Sequence, residues 1–158
     1  MIKRLAEDKG FKATIEKAVL GGKGSIDVAL ESDGQNIACE ISVSTSSDQE
    51  FGNIQKCLAA GFETILVISS EKKTLANLRE IANSHLKSSE IEHLRFVTVE
   101  EFLTFLDEQE ANAATKEQTV RGYKVKVKYR ALEESEKKTR QQAIAQTILQ
   151  AMRRMKEK

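Results

Sequence analysis

The sequence predicts an α/β fold: a helix, a three-stranded meander, a second helix and a strand, then a further helix, strand and helix, and last a basic strand-helix tail. Three features carry that prediction. Two segments that alternate apolar and polar residues flank Asp33-Gly34, a pair favoured in two-residue hairpin turns. The run Thr64-Ile65-Leu66-Val67-Ile68-Ser69 is short and continuously apolar, as in a strand buried on both faces, and lies between segments of helical period. Beyond residue 119 the charge changes: residues 120–158 hold 12 Lys/Arg and 4 Asp/Glu, net +8, which leaves 13 and 20, net −7, for residues 1–119.

Taken in order, residues 2–9 read as a short helix and Lys12 to Leu20 as a strand, ending in Gly21-Gly22-Lys23-Gly24, a glycine-rich turn that a helix would not tolerate. The segments 25–31 and 36–42 form the hairpin. With Asp33 and Gly34 at the turn, paired positions sum to 67, so Glu31 faces Asn36, Ala29 faces Ala38 and Asp27 faces Glu40. Ile26, Val28, Leu30, Ile37, Cys39 and Ile41 then share one apolar face, and a slip of one residue would turn a whole strand the wrong way. Ser47-Asp48-Gln49-Glu50 fits a capping box that opens a helix over 48–60, with Phe51, Ile54 and Leu58 as its apolar stripe and Gly61 as its stop. Helices are predicted from Thr74 to about Leu86 and from Glu100 to about Glu110, with a strand over 94–99 between them.

Residues 1–110 thus form one domain, residues 111–119 read as a linker without apolar anchors, and residues 120–158 form the basic tail. In the tail, residues 123–129 alternate strictly. Ile144, Ile148, Ala151, Met152 and Met155 then line one face of a final helix, which packs on the body or on a second copy in a homodimer.

At 158 residues, 40% hydrophobic and 31% charged, the chain is long and apolar enough to bury a core, which excludes a disordered protein. No apolar run approaches the roughly 20 residues that cross a bilayer, and the N-terminus turns charged too early for a secretory signal, so a cytoplasmic protein without membrane contact is expected. Cys39 and Cys57 lack metal-ligand spacing and sit in apolar patterns, which predicts buried, reduced thiols. With no proline in the chain, glycines and side-chain caps must end its elements.

The opposed acids Asp27 and Glu40 are the centre of the functional reading. Directly opposed Cβ atoms lie about 5 Å apart, where like charges are destabilising unless neutralised. A divalent cation neutralises them, and hard Mg²⁺ (or Mn²⁺) takes one or two carboxylates while keeping positions for water and phosphate. Ala29 and Ala38 keep that face shallow enough for a helix or a ligand to approach. The plainer alternative is two acids at strand ends that simply face solvent.

The helix, three strands, helix, strand order, with Asp27 on the second strand and Glu40-Ile41-Ser42 ending the third, resembles the PD-(D/E)XK, or restriction-endonuclease-like, superfamily over about residues 1–70. The resemblance implies that Asp27 and Glu40 hold one or two Mg²⁺ ions for phosphodiester hydrolysis. It also implies a lysine two residues past the Glu, where this sequence has Ser42. Some members recruit that lysine from the following helix, and here Lys56 is the candidate. On a helical wheel Lys56 lies roughly opposite the Phe51/Ile54/Leu58 stripe, so its long stem has to curl round the helix edge to reach the acids. Asn53 and Glu50 lie nearer the core face, in reach of metal-bound water. The Glu40-Ile41-Ser42 segment, the Asn53/Lys56 helix and the Gly122-Tyr123-Lys124-Val125-Lys126-Val127 tail together resemble nuclease-like domains at the C-terminal ends of DNA-translocating or helicase-type ATPases of mobile elements, which implies such an ATPase as a partner.

Lys124, Lys126 and Lys128 share one face of the tail strand, flanked by Arg121 and Arg130, a row suited to the DNA backbone without sequence preference. The same lysines also suit an edge strand guarded against aggregation. Other patterns carry no chemistry. Gly21-Gly22-Lys23-Gly24-Ser25 leads into a strand and lacks a phosphate loop's ending, Ser70-Glu71-Lys72-Lys73 has no companion motifs, and His85 and His93 have no nucleophile or ligand partner. Three functions follow: a Mg²⁺-dependent DNA endonuclease, an inactive module of the same fold that binds DNA or a partner ATPase, or a structural assembly domain.

Overall fold

The computed structural model describes residues 2–32, 34–43, 46–115, 119–120, 123–124 and 134–156. A five-stranded sheet runs in the order β1 (Lys12–Val19), β2 (Gly24–Ser32), β3 (Gln35–Ser42), β4 (Thr64–Ser69), β5 (Leu94–Val97). The first three strands form an antiparallel meander, and β3, β4 and β5 are parallel. Helices α1 (Ile2–Glu7), α2 (Ser47–Ala59), α3 (Lys72–His85), α4 (Ser88–Ile91), α5 (Val99–Thr115) and α6 (Glu134–Lys156) complete the described chain with a small antiparallel pair, β6 (Thr119–Val120) and β7 (Tyr123–Lys124). Among the described residues no helix is long and apolar enough to cross a membrane.

The sheet separates two apolar layers. On one side Ala6, Val28, Leu30, Ile37, Cys39, Leu66 and Ile68 pack with Phe102 and Leu106 of α5 and with Ala145 and Ile148 of α6. On the other, Ala29, Ala38 and Ile65 meet Cys57 of α2, and Val67 meets Ile54 of α2 and Leu78 of α3. Strand β4 is buried on both faces, as its continuous apolar run requires, with Ile65, Leu66, Val67 and Ile68 all enclosed. Cys39 and Cys57 are free, buried thiols on opposite sides of the sheet.

The hairpin has the expected register from Ser32↔Gln35 to Val28↔Cys39, where the ladder stops one step short of the expected Asp27–Glu40 pair, and Gly34 takes the positive φ of 81° that its turn needs. One residue of the expected apolar face departs from it. Ile26 packs on the α2 side with Ala29, Ala38, Cys57 and Phe62, not on the α5 side with Val28 and Leu30. The strand therefore loses its two-residue alternation at Asp27. Across the β1–β2 ladder, between Ile15↔Val28 and Lys17↔Ile26, stands Glu16 with φ 49°, a left-handed conformation that costs a non-glycine residue energy and marks a local kink.

Other differences concern boundaries. Helix α2 is capped by Ser46, whose side chain accepts from the Gln49 amide, so the capping box is Ser46/Gln49 and leaves Glu50 inside the helix. The buried residues of α2 are Glu50, Ile54 and Cys57, with Phe51 and Leu58 to one side, so the inward face is centred away from the expected stripe. Helix α5 continues to Thr115 through residues read as linker, because Ala111, Ala113 and Ala114 favour helix even without anchors. The short helix α4 carries no apolar period of its own and was not predicted. Helix α6 packs on the body: Ala145 and Ile148 lie in the core, and Gln141 hydrogen-bonds Asp107 of α5.

Candidate functional site: a buried glutamate, a lysine and a capping aspartate

Glu40 sits on β3 two residues beyond Ala38, on the face turned toward α2, and only 1% of it is exposed. Its Oε1 accepts a hydrogen bond from Cys57 Sγ at 3.3 Å and lies 3.4 Å from Lys56 Nζ. Its Oε2 is buried and has no hydrogen-bond partner among the described residues. Burial pushes the Glu40 carboxyl up to about 7, with the charge of Asp27 adding to the rise and Lys56 and the Cys57 hydrogen bond opposing it. The Cys57 thiol is itself pushed well up, by burial first and by Glu40 second, which keeps it a proton donor and not a nucleophile.

Lys56 meets Glu40 across the gap between α2 and β3. Its side chain is 18% exposed, with Nζ also donating to Asn53 Oδ1 at 3.1 Å. The rotation of α2 explains the reach. With Glu50, Ile54 and Cys57 as the inward face, Lys56 lies about 40° closer to the sheet than the Phe51/Ile54/Leu58 stripe would put it, at about 100° per residue. The four methylenes cover the rest, running over apolar surface while the ammonium stays at the edge.

Asp27 stands at the kink of β2. The ladder with β3 is regular up to Val28↔Cys39, and at the next step the Asp27 carboxylate itself accepts from the Ile41 amide, at 2.8 Å through Oδ2. Asp27 is thus close enough for its charge to act on Glu40, but one of its oxygens already satisfies a backbone donor. Ser42 is buried and stands beside Ser69 in the parallel β3–β4 ladder. Glu50 is buried too, one helical step along the same inward face of α2 from Asn53.

The structure therefore brings Lys56 into direct contact with both Glu40 and Asn53, with Asp27 near enough to act on Glu40, and keeps Ser42 within the ladder. Cys57 is the partner that sequence reading missed, since a cysteine in an apolar pattern signals burial and not which strand it will meet. The shallow surface over Ala29 and Ala38 is filled by Ile26, Cys57 and Phe62. Of the expected basic row, Arg121, Lys126, Lys128 and Arg130 lie outside the described residues, and Lys124 belongs to β7. His85 Nδ1 bonds the Ile81 carbonyl and His93 Nδ1 the Glu63 carbonyl, local structural roles for both rings.

The donor set fits a hard cation in one respect: two neighbouring carboxylates, one of them with a buried oxygen lacking a partner, match the one or two carboxylates Mg²⁺ takes from protein. No group of three or more His, Cys, Asp or Glu side chains is gathered for a metal among the described residues. In comparisons with known proteins, the chain matches no family model and no curated sequence.

Proposed function

We propose that this chain is a restriction-endonuclease-like domain that hydrolyses DNA phosphodiester bonds with Mg²⁺ at Asp27 and Glu40, Lys56 standing in for the lysine missing at Ser42. One observation supports it above the others: a lysine from α2 lies 3.4 Å from Glu40, although nothing in the β3 motif calls for it. The order helix, antiparallel meander, helix, parallel strand is the one this family would have. Mg²⁺ held by the two carboxylates would supply Lewis-acid activation of the phosphodiester and its attacking water. The remaining roles belong to the chain itself. Lys56 offsets the negative charge of Glu40 and orients a water at the acids, Asn53 fixes the ammonium, and Asp27 braces the strand end through Ile41. DNA, gripped by the basic segment from Arg121 to Arg130, is the proposed substrate, and an attached or separate DNA-translocating ATPase the proposed partner.

The deep burial of Glu40 favours a second reading, a module of this fold that binds DNA or an ATPase without cutting. Supercoiled plasmid separates the two. Cleavage that needs Mg²⁺ or Mn²⁺ and is lost in Asp27→Ala, Glu40→Gln and Lys56→Ala supports the nuclease; binding that weakens steeply with salt and leaves the plasmid intact supports the module. If the protein neither cuts nor retains DNA, the nuclease and the DNA-binding module are both lost, and only a module that binds an ATPase is left.

A further inference from the structure

Gly24 opens β2, three residues before Asp27, and its backbone φ is negative, so any L-residue could adopt its conformation. What a side chain there would meet is Lys56. A Cβ built on Gly24 would lie 2.8 Å from Lys56 Cδ, closer than carbon atoms pack, and 3.3 Å from Cγ, a tight contact. The lysine stem thus crosses the start of β2 where a methyl group would otherwise be. That path sets the direction of the last two carbons and leaves Nζ between Glu40 Oε1 and Asn53 Oδ1.

We infer that Gly24 is a positioning residue, whose missing side chain forms the groove that holds the Lys56 stem and so delivers its ammonium to Glu40. The groove itself is a matter of packing, and its catalytic sense rests on the nuclease reading above. Since the atoms a methyl would meet belong to a flexible chain and not to backbone, Gly24→Ala is expected to leave the fold intact and move Lys56 outward. Gly52, on the same helix as Lys56, has nothing within 4 Å of the site of its Cβ and is the control.

The test is brief acetylation of the full chain, with the extent at each lysine read by mass spectrometry and the exposed Lys72 and Lys73 as internal standards. In Gly24→Ala the rate at Lys56 is expected to rise severalfold toward that of Lys72 and Lys73, with no change in Gly52→Ala. An unaltered Lys56 rate in a folded Gly24→Ala protein overturns the inference. Should Gly24→Ala fail to fold, the double variant with Lys56→Ala decides: it folds as well as Lys56→Ala alone if the lysine stem is what the methyl meets, and failure there too overturns the inference. Where plasmid is cut, Gly24→Ala should lower kcat by roughly a hundredfold at unchanged KM, the scale of a misplaced water-orienting group, with no further loss when combined with Lys56→Ala. Acetylation does not use the reaction, so a wild-type protein that never cuts DNA would remove the nuclease reading and leave the groove standing.

Discussion

Glu40 is the residue at which the energetics of this molecule can be read most directly. Its folded-state carboxyl is raised from 4.5 to about 7, mainly because burial disfavours the charged form. Between those two values the folded protein holds a proton that the unfolded chain has released, so stability must fall as pH rises through that window. The stabilisation is whole below about pH 4.5 and gone above about pH 7, a difference of about 3 kcal/mol by the worth of each step in pKa. Glu40→Gln removes the titration while keeping the shape. Denaturant unfolding in the absence of divalent metal is therefore expected to show Glu40→Gln gaining on the wild type by about 2–3 kcal/mol between pH 5 and pH 8, most of the full difference. Equal slopes for the two proteins would mean that the carboxyl is not held from water as its surroundings indicate. Added Mg²⁺ bound at this carboxylate would work against the trend and raise the wild-type melting temperature at pH 8 alone, not that of Glu40→Gln.

At the scale of elements, two features place this residue. Helix α2 starts from the reciprocal Ser46/Gln49 cap, and Ser46→Ala should cost about 1 kcal/mol in unfolding free energy. Its close approach to the sheet depends on Ala29 and Ala38, both fully buried beneath Cys57. Ala38→Leu adds volume where none is free and should cost about 1–3 kcal/mol, with a measurable rise in Lys56 acetylation as the helix is lifted from β3. A loss confined to stability, with Lys56 as protected as before, would mean that the sheet and not the helix gives way. The hairpin register was legible beforehand because alternation on both strands and an Asp-Gly turn agree on one pairing, and any slip would expose Val28, Leu30, Ile37 and Cys39. The kink at Asp27 was not legible, since Ile26 has the same residue type whichever face it takes and the left-handed Glu16 that accompanies the change carries no sequence mark. The orientation of α2 escaped for a related reason. Its inward face includes Glu50 and Cys57, and a wheel that counts only Phe51, Ile54 and Leu58 is drawn toward the flank. Lys56 was singled out beforehand and does reach Glu40, but its path over Gly24 joins two segments that no local pattern relates.

For the molecule as a whole the question is whether the C-terminal helix is an appendage or part of the core. Charge and composition set it apart, since all of the excess positive charge lies beyond residue 119. Packing does the reverse: Ala145 and Ile148 share one continuous cluster with Phe102 and Leu106 of α5 and with Leu30 and Leu66 of the sheet. A helix that only rested on the surface would contribute at its own site and melt on its own. One whose side chains complete a layer over the sheet is coupled to everything that layer touches, because close-packed interiors pass on the loss of a few methyl groups. Ile148→Ala should therefore lower the stability of the entire chain by about 2–5 kcal/mol, through lost apolar burial and the cavity left over α5. Tertiary and helical signals should still lose their structure in one transition, and amide exchange should speed up in β4 as well as in α6. If instead exchange quickens only in α6 and the midpoint of the sheet stays where it was, the basic helix is a separate unit, and the positively charged segment could leave the body without disturbing the Glu40 site.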